Sequence, residues 1–113
     1  MAKAIGITVS ARTQLVNVVG LFAGEALTLT CTYDTTTATS GKSFQLVIQD
    51  RPGGTTLVTA TGTVTDAVNG VFTFALTTTD TGTTLGPGAF SYYVQETVGG
   101  VTLATGVWPV MAP

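Results

Sequence analysis

The strongest constraint in this sequence is a period of two in its apolar residues, without any stretch of helical spacing. Leu27, Leu29, Cys31 and Tyr33, for example, alternate with threonines. This period places successive side chains on opposite faces of a β-strand, whereas a helix would need apolar residues at i, i+3, i+4 and i+7. Glycine or β-branched threonine also interrupts every candidate helix. The sequence therefore predicts a fully β protein in which Cys31 is buried.

The same pattern recurs along the chain and gives about seven short strands. They are predicted at residues 5–9, 27–33, 44–49, 57–64, 71–76, 89–97 and 101–110. Turn-forming residues separate them, and Asn69-Gly70 predicts a tight hairpin with positive φ at Gly70. The threonine-rich residues 35–40 and 77–84 are predicted loops. Short strands at this spacing are typical of a β-sandwich or a β-barrel.

Composition indicates one folded domain. The chain has 113 residues, of which 44 % are hydrophobic and 9 % are charged. A disordered chain would be poor in apolar residues and rich in charge. The single cysteine excludes an intrachain disulfide, so packing alone must hold the sandwich together. With so few charges, the surface must consist largely of threonine.

Charge and hydropathy argue against two classes of partner. The net charge of −2 provides no cationic field for nucleic acid or for anionic lipid. Residues 97–113 are uncharged but are interrupted by glycine and proline, so no membrane-spanning helix is predicted. The N-terminal apolar stretch is too short and too alternating for a signal peptide. We therefore expect synthesis in the cytoplasm without export.

The polar residues do not form a recognisable catalytic set. The sequence contains no histidine, and its six acidic residues occur singly near predicted turns. We predict that Asp66 with Thr65, and Asp80 with Thr79, cap turns; a calcium site built from Asp66 and Asp80 is the less favoured alternative. The expectation is a protein that is not an enzyme, with no catalytic residues, no cofactor and no bound metal.

The N-terminal segment has two interpretations. Residues 1–22 combine apolar density with few charges, and the second half of the segment lacks clean alternation. One hypothesis is an attachment arm preceding a sandwich of residues 23–113, with contacts made by Leu15, Val18, Leu21 and Phe22. The alternative is that the segment supplies the first strands of the sandwich core.

Two aromatic residues are further candidates for a contact surface. Tyr93 is predicted to point away from the core, opposite Tyr92, and Trp108 lies in the final strand. Contact with another protein is the favoured role of this pair. A platform for stacking sugars is the weaker alternative, because the aromatics have no flanking aspartate, asparagine or histidine that would bind hydroxyls.

Beyond these patterns, the chain resembles a known family over most of its length. The matching segments are residues 62–67, 69–74, 80–81, 88–95 and 106–107, with a looser match at residues 24–30. Together they resemble the N-terminal immunoglobulin-like domain of the baseplate upper proteins of tailed phages, a sandwich that recurs in accessory proteins of phage heads and tails. The most specific part is the hairpin Thr65-Asp66-Ala67 followed by Gly70-Val71-Phe72.

The resemblance implies a single immunoglobulin-like sandwich and a structural role in the virion, and it brings no catalytic residues. The favoured function is a capsid decoration, or cement, protein on the phage head. A tail or baseplate component is one alternative, and a module that binds glycans or proteins on the host surface is another. The expected partners are the major capsid protein or other virion proteins, including copies of this chain.

Overall fold

The computed structural model describes residues 3–9, 14–15, 22–33, 41–97 and 100–112. Within these ranges the chain forms nine strands and one short π-helical turn at Asp80–Leu85. The strands are β1 (Lys3–Val9), β2 (Gln14–Leu15), β3 (Leu27–Tyr33), β4 (Phe44–Gln49), β5 (Thr56–Thr61), β6 (Thr63–Asp66), β7 (Val71–Leu76), β8 (Gly88–Glu96) and β9 (Val101–Val110).

The strands form two sheets, which confirms the predicted all-β sandwich. One sheet has the order β1-β3-β7-β6, and the other has the order β2-β9-β8-β4-β5. This is the division of an immunoglobulin-like sandwich, in which strands A, B, E and D form one sheet and strands C, F and G the other. Here β1, β3, β7 and β6 correspond to A, B, E and D, and β4, β8 and β9 correspond to C, F and G. The fold is reached without the inter-sheet disulfide of antibody domains, because Cys31 is the only cysteine.

The N-terminal residues contribute to both sheets. β1 lies at an edge of the four-stranded sheet and pairs parallel with β3, from Lys3 opposite Leu27 to Val9 opposite Tyr33. A parallel pair needs a long crossover connection. The described residues of this connection lie at the other sheet, where β2 pairs parallel with β9 and Phe22 bridges to Met111. The described part of residues 1–22 thus forms strands of the sandwich, as in the second of the two interpretations.

Aromatic side chains join the two sheets at the centre of the core. The rings of Phe44 on β4 and Phe72 on β7 are stacked, with centroids 3.9 Å apart and planes 5° from parallel. Phe74 meets Phe72 edge-on. Cys31 lies in the same core and is fully buried, as its alternation with threonine predicted. Aromatic residues bury more apolar area than any other type, so this cluster dominates the stability of the fold.

The predicted strand at residues 57–64 is wrong as a single element. The chain leaves the five-stranded sheet after Thr61 and enters the four-stranded sheet at Thr63, with Gly62 between β5 and β6. The Gly62 N–H donates to the Phe44 carbonyl oxygen at 2.8 Å. A Cβ at position 62 would stand 3.1 Å from both Phe44 Cβ and Phe74 Cε1. Only glycine lets the backbone pass this close to the aromatic core.

The prediction of a fully β chain is also wrong at residues 80–85. The predicted loop at residues 77–84 contains the start of a helical turn, and reciprocal bonds close its beginning: the Asp80 N–H donates to Thr77 Oγ1 at 3.1 Å, and the Thr77 N–H donates to Asp80 Oδ2 at 2.9 Å. This is a capping box, so Asp80 caps the turn as predicted, with Thr77 and not Thr79 as the threonine involved. Buried Thr81 anchors the turn by donating its hydroxyl to the Glu25 carbonyl oxygen at 2.6 Å.

The hairpin between β6 and β7 confirms positive φ at Gly70, which is 73°. Its turn spans residues 67–70, which is longer than a two-residue tip. Asp66 accepts hydrogen bonds from the backbone N–H and the side-chain amide of Asn69, at 3.2 and 2.7 Å. Asp66 therefore caps this turn, as predicted. These bonds hold the pKa of the Asp66 carboxyl below its ordinary value, and the bond from the Asn69 side chain has the largest effect. The predicted loop at residues 35–40 lies outside the described residues.

Candidate interaction surfaces

Trp108 does not lie on the surface, and its prediction as a contact residue is wrong. Its side chain is fully buried and meets the Tyr92 ring at a centroid distance of 5.3 Å. The register explains the direction: Gly106 on β9 is opposite inward-facing Tyr92, so Trp108, two residues further, also points inward. Its neighbour Val107 is 44 % exposed instead. The Trp108 Nε1 atom is buried without a hydrogen-bond partner in the described part of the chain.

Tyr93 points to the opposite side of the same sheet, as predicted from its position next to Tyr92. Its register partners are Val47 on β4 and Thr105 on β9. Val47 is only 4 % exposed although it belongs to the outward-facing set, so its neighbours on this face cover it. Because Tyr93 and Trp108 lie on opposite faces of the sheet, they do not form a sugar-stacking platform.

Amides surround Tyr93 on the outer side of the five-stranded sheet. We call this surface the glutamine face; it consists of Gln45, Val47, Gln49, Tyr93 and Gln95. Gln45 and Gln95 are opposite each other, and the Gln45 side-chain amide donates to Gln95 Oε1 at 3.0 Å. None of the five residues is charged. Another protein can therefore cover this face without removing an ion from water, which is the most costly part of burying a polar surface.

The outer side of the four-stranded sheet is a second neutral surface. We call it the threonine face; its members are Thr28, Thr30, Thr32, Thr63 and Thr73. Thr30 on β3 pairs with Thr73 on β7, which pairs with Thr63 on β6, so one row of hydroxyls and methyls crosses the sheet. The two broad sides of the sandwich thus differ in chemistry, because only the five-stranded sheet carries a cluster of amides among its outward-facing hydroxyls.

The predicted contact residues of the N-terminal segment are described in part. Leu15 lies in β2, opposite Thr105 of β9. Phe22 is partly buried beside Met111, and the Ala23 N–H donates to the Met111 carbonyl oxygen at 2.9 Å. Val18 and Leu21 lie outside the described residues. An attachment role for this segment stays a prediction.

The core thiol is chemically protected. Burial raises the pKa of Cys31 to about 12, so almost none of it is thiolate at neutral pH. Burial also raises the pKa of the Tyr92 hydroxyl, and the nearby Cys31 adds to the shift. Both groups therefore stay neutral and serve packing.

Metal-binding clusters, pockets and membrane-spanning helices are all absent from the described part of the chain. No three acidic or cysteine side chains lie close enough together there to hold a metal ion. The described residues enclose no pocket. Among them, no helix has the length and apolar character needed to cross a membrane.

The fold has a solved counterpart in a phage protein. The structure is similar to the N-terminal domain of phage TP901-1 ORF48, with a TM-score of 0.58 and 12 % sequence identity. The match covers 96 % of this chain and 98 % of that domain, so the two share the whole sandwich. No family model matches the sequence. No curated protein matches it either.

Proposed function

We propose that this chain is a non-enzymatic structural protein of a tailed-phage particle and that it decorates the outside of the capsid. The observation that carries the proposal is the likeness of the complete sandwich to a complete domain of a phage protein. The sequence resemblance in residues 62–107 points to the same class of protein. Location on the head, in the virion, and contact with the major capsid protein are parts of this proposal.

The surface chemistry supports a role in assembly. A chain with 9 % charged residues and a net charge of −2 has little colloidal repulsion between copies, which favours close arrays. We propose that the glutamine face contacts the capsid, with Tyr93 at its centre. Tyrosine combines a large apolar area with a hydrogen-bonding hydroxyl, and it is enriched among residues that dominate binding energy.

A tail or baseplate position is the second candidate. It is favoured by the family that the sequence resembles, whose members belong to baseplates. The same sandwich and the same neutral faces would serve there, with another tail protein as the partner. Location in the particle separates the two candidates.

Antibody labelling of purified particles tests the location. Decoration of the capsid predicts a label distributed over the head and a copy number comparable to that of the major capsid protein. A label confined to the tail would overturn capsid decoration and favour the second candidate. Absence of the chain from washed particles would overturn both.

A binding assay tests the face. Purified protein is mixed with heads that lack it, and bound protein is measured after sedimentation. Tyr93→Ala is expected to weaken binding by at least about tenfold, the effect of losing a central aromatic contact. Thr73→Ala, a change of similar type on the threonine face, is the matched control and should bind like the unmodified protein. Equal binding by the two variants would exclude the glutamine face.

A further inference from the structure

We propose that two copies of this chain pair antiparallel through the free edge of β5 and extend the five-stranded sheet across both molecules. β5 is the last strand of that sheet, and in the described part of the chain no strand lies on its other side. The inference goes beyond capsid decoration, because it concerns self-association that the isolated protein should show.

The direction of the backbone groups in β5 follows from one hydrogen bond. The Gly62 N–H donates to the Phe44 carbonyl oxygen, so the pair of residues 44 and 62 is hydrogen-bonded. Along an antiparallel ladder, hydrogen-bonded pairs alternate with pairs whose backbone groups point away from each other. Leu46 with Ala60, and Ile48 with Val58, are therefore hydrogen-bonded pairs as well. It follows that Thr59 and Thr61 direct their N–H and C=O groups away from β4, toward the free edge.

The part of the edge at Thr59 and Thr61 lacks charge, proline and irregular pairing, although β5 has a register shift nearer its start and packs against the helical turn at Asp80–Leu85. Natural edge strands carry charges or proline, or are short or bulged. Residues 55–65 contain no charge and no proline. The register shift of β5 lies near its start, between Ile48 and Gln49 of its partner strand, so the ladder at Thr59 and Thr61 is regular.

The other edges are better protected. β6 has four residues with a register shift before Asp66, and β2 has two residues. β1 begins with Lys3 and has a glycine in its middle. β5 is therefore the edge on which a second strand meets the least resistance.

The core side chains of β5 keep a little exposed surface. Val58 and Ala60 are 7 % and 9 % exposed, whereas Leu46 and Ile48, opposite them on β4, are completely buried. A strand added at the β5 edge would lie next to these side chains and reduce their exposure. This gives the pairing an apolar component besides its backbone hydrogen bonds.

A second copy of this chain fits the edge because β5 is compatible with itself. In an antiparallel register centred on Ala60, Thr59 of each copy lies opposite Thr61 of the other, and all of their edge-directed groups are satisfied. The small Ala60 side chain lets the strands approach closely at the axis. Thr59 and Thr61 both face the outer side of the sheet, so the sheet keeps one neutral surface, and no like charges meet.

The size of the contact predicts its strength. A pairing of one six-residue strand buries less than the roughly 1,200 Å² of total area that stable interfaces need. We therefore expect a weak, reversible dimer in free solution. On a surface that holds many copies at fixed spacing, the same contact would be strengthened by the high local concentration.

The test is sedimentation equilibrium of the full chain up to about 1 mM, a concentration at which weak pairs form. The unmodified protein should shift toward the mass of a dimer. Thr59→Pro removes one edge-directed N–H from each copy and leaves the bonds to β4 intact, so it should weaken association at least about tenfold. Thermal melting checks that this variant is folded.

A charge variant keeps the test decisive if Thr59→Pro does not fold. Thr59→Lys places like charges near the axis and should weaken association, whereas Thr63→Lys, the same change at an exposed position of β6, should not. An unmodified chain that stays monomeric at about 1 mM overturns the proposal. Equal association of the two lysine variants would also overturn it. Neither result bears on capsid decoration, which labelling of particles decides separately.

Discussion

The centre of the sandwich and its β5 edge differ in how completely their groups are enclosed. At the centre, Phe44 stacks on Phe72 across the two sheets and is sealed on all sides. At the edge, Thr59 and Thr61 turn their backbone groups outward, with only threonine side chains beside them. The centre therefore contributes most to the stability of the fold, and the edge is where we propose that a second copy pairs. Substitutions in the two regions should have separable effects.

The largest expected effect is at the centre. Phe72→Ala removes the ring that joins the sheets and should lower the free energy of unfolding by about 3–5 kcal/mol, the usual cost of truncating a buried phenylalanine. Urea denaturation measures it. Phe90→Ala, at a partly buried position against the same core, is the control and should cost clearly less. Equal losses would mean that the stacked pair is not the main contact between the sheets.

The next effect is at Gly62, where the chain passes from the edge strand to the other sheet. Gly62→Ala places a Cβ 3.1 Å from Phe44 Cβ and 3.3 Å from the Phe44 carbonyl oxygen, which is held in place by its hydrogen bond. Overpacking of this kind costs about 1–3 kcal/mol. Gly6→Ala is the matched control, because its nearest contact would be 3.9 Å away. Melting temperatures that fall equally in both variants would contradict the close approach at Gly62.

A smaller effect is expected in the β6–β7 hairpin. Gly70 has a φ of 73°, which a β-branched residue adopts only with strain. Gly70→Val should therefore lower the stability by roughly 1 kcal/mol or more. Val68→Ala in the same turn changes an exposed side chain and should have no measurable effect. An unchanged melting temperature for Gly70→Val would refute the assigned turn.

The smallest effect on stability is expected at the edge itself. Thr59→Lys changes an exposed side chain in β5, so the free energy of unfolding should stay within about 0.5 kcal/mol of the original. At low protein concentration, this variant should have the same melting temperature as the unmodified chain. A large loss would mean that position 59 belongs to the folded core and that the two regions are not separable.

Local patterns predicted much of the sandwich. Alternation predicted β3, β4 and β7 and the burial of Cys31, because apolar and polar residues alternate along a strand that has one buried face. The same rule did not place Trp108, because its neighbour Val107 is also apolar and the buried residues Leu103 and Ala104 are consecutive in β9. The helical turn at Asp80–Leu85 also had a signal, a threonine at position 77 with an acid three residues later.

Other features depend on contacts between distant residues. The alternation of residues 57–64 continues through Gly62, and the change of sheet there depends on the rings of Phe44 and Phe74. The edge-directed groups of Thr59 and Thr61 are backbone atoms whose direction depends on the register with β4. For that reason side-chain patterns selected Tyr93 and the N-terminal residues as contact candidates and passed over β5.

Amide hydrogen exchange along β5, followed by NMR at low protein concentration, tests the central claim most directly. Bonds to β4 should protect the amides of Val58 and Ala60, while those of Thr59 and Thr61 should exchange rapidly. At high concentration, pairing of two copies should slow Thr59 and Thr61 selectively. Protection of all four amides in the dilute protein, or the reverse alternation, would show that the β5 edge is not open and would contradict the account.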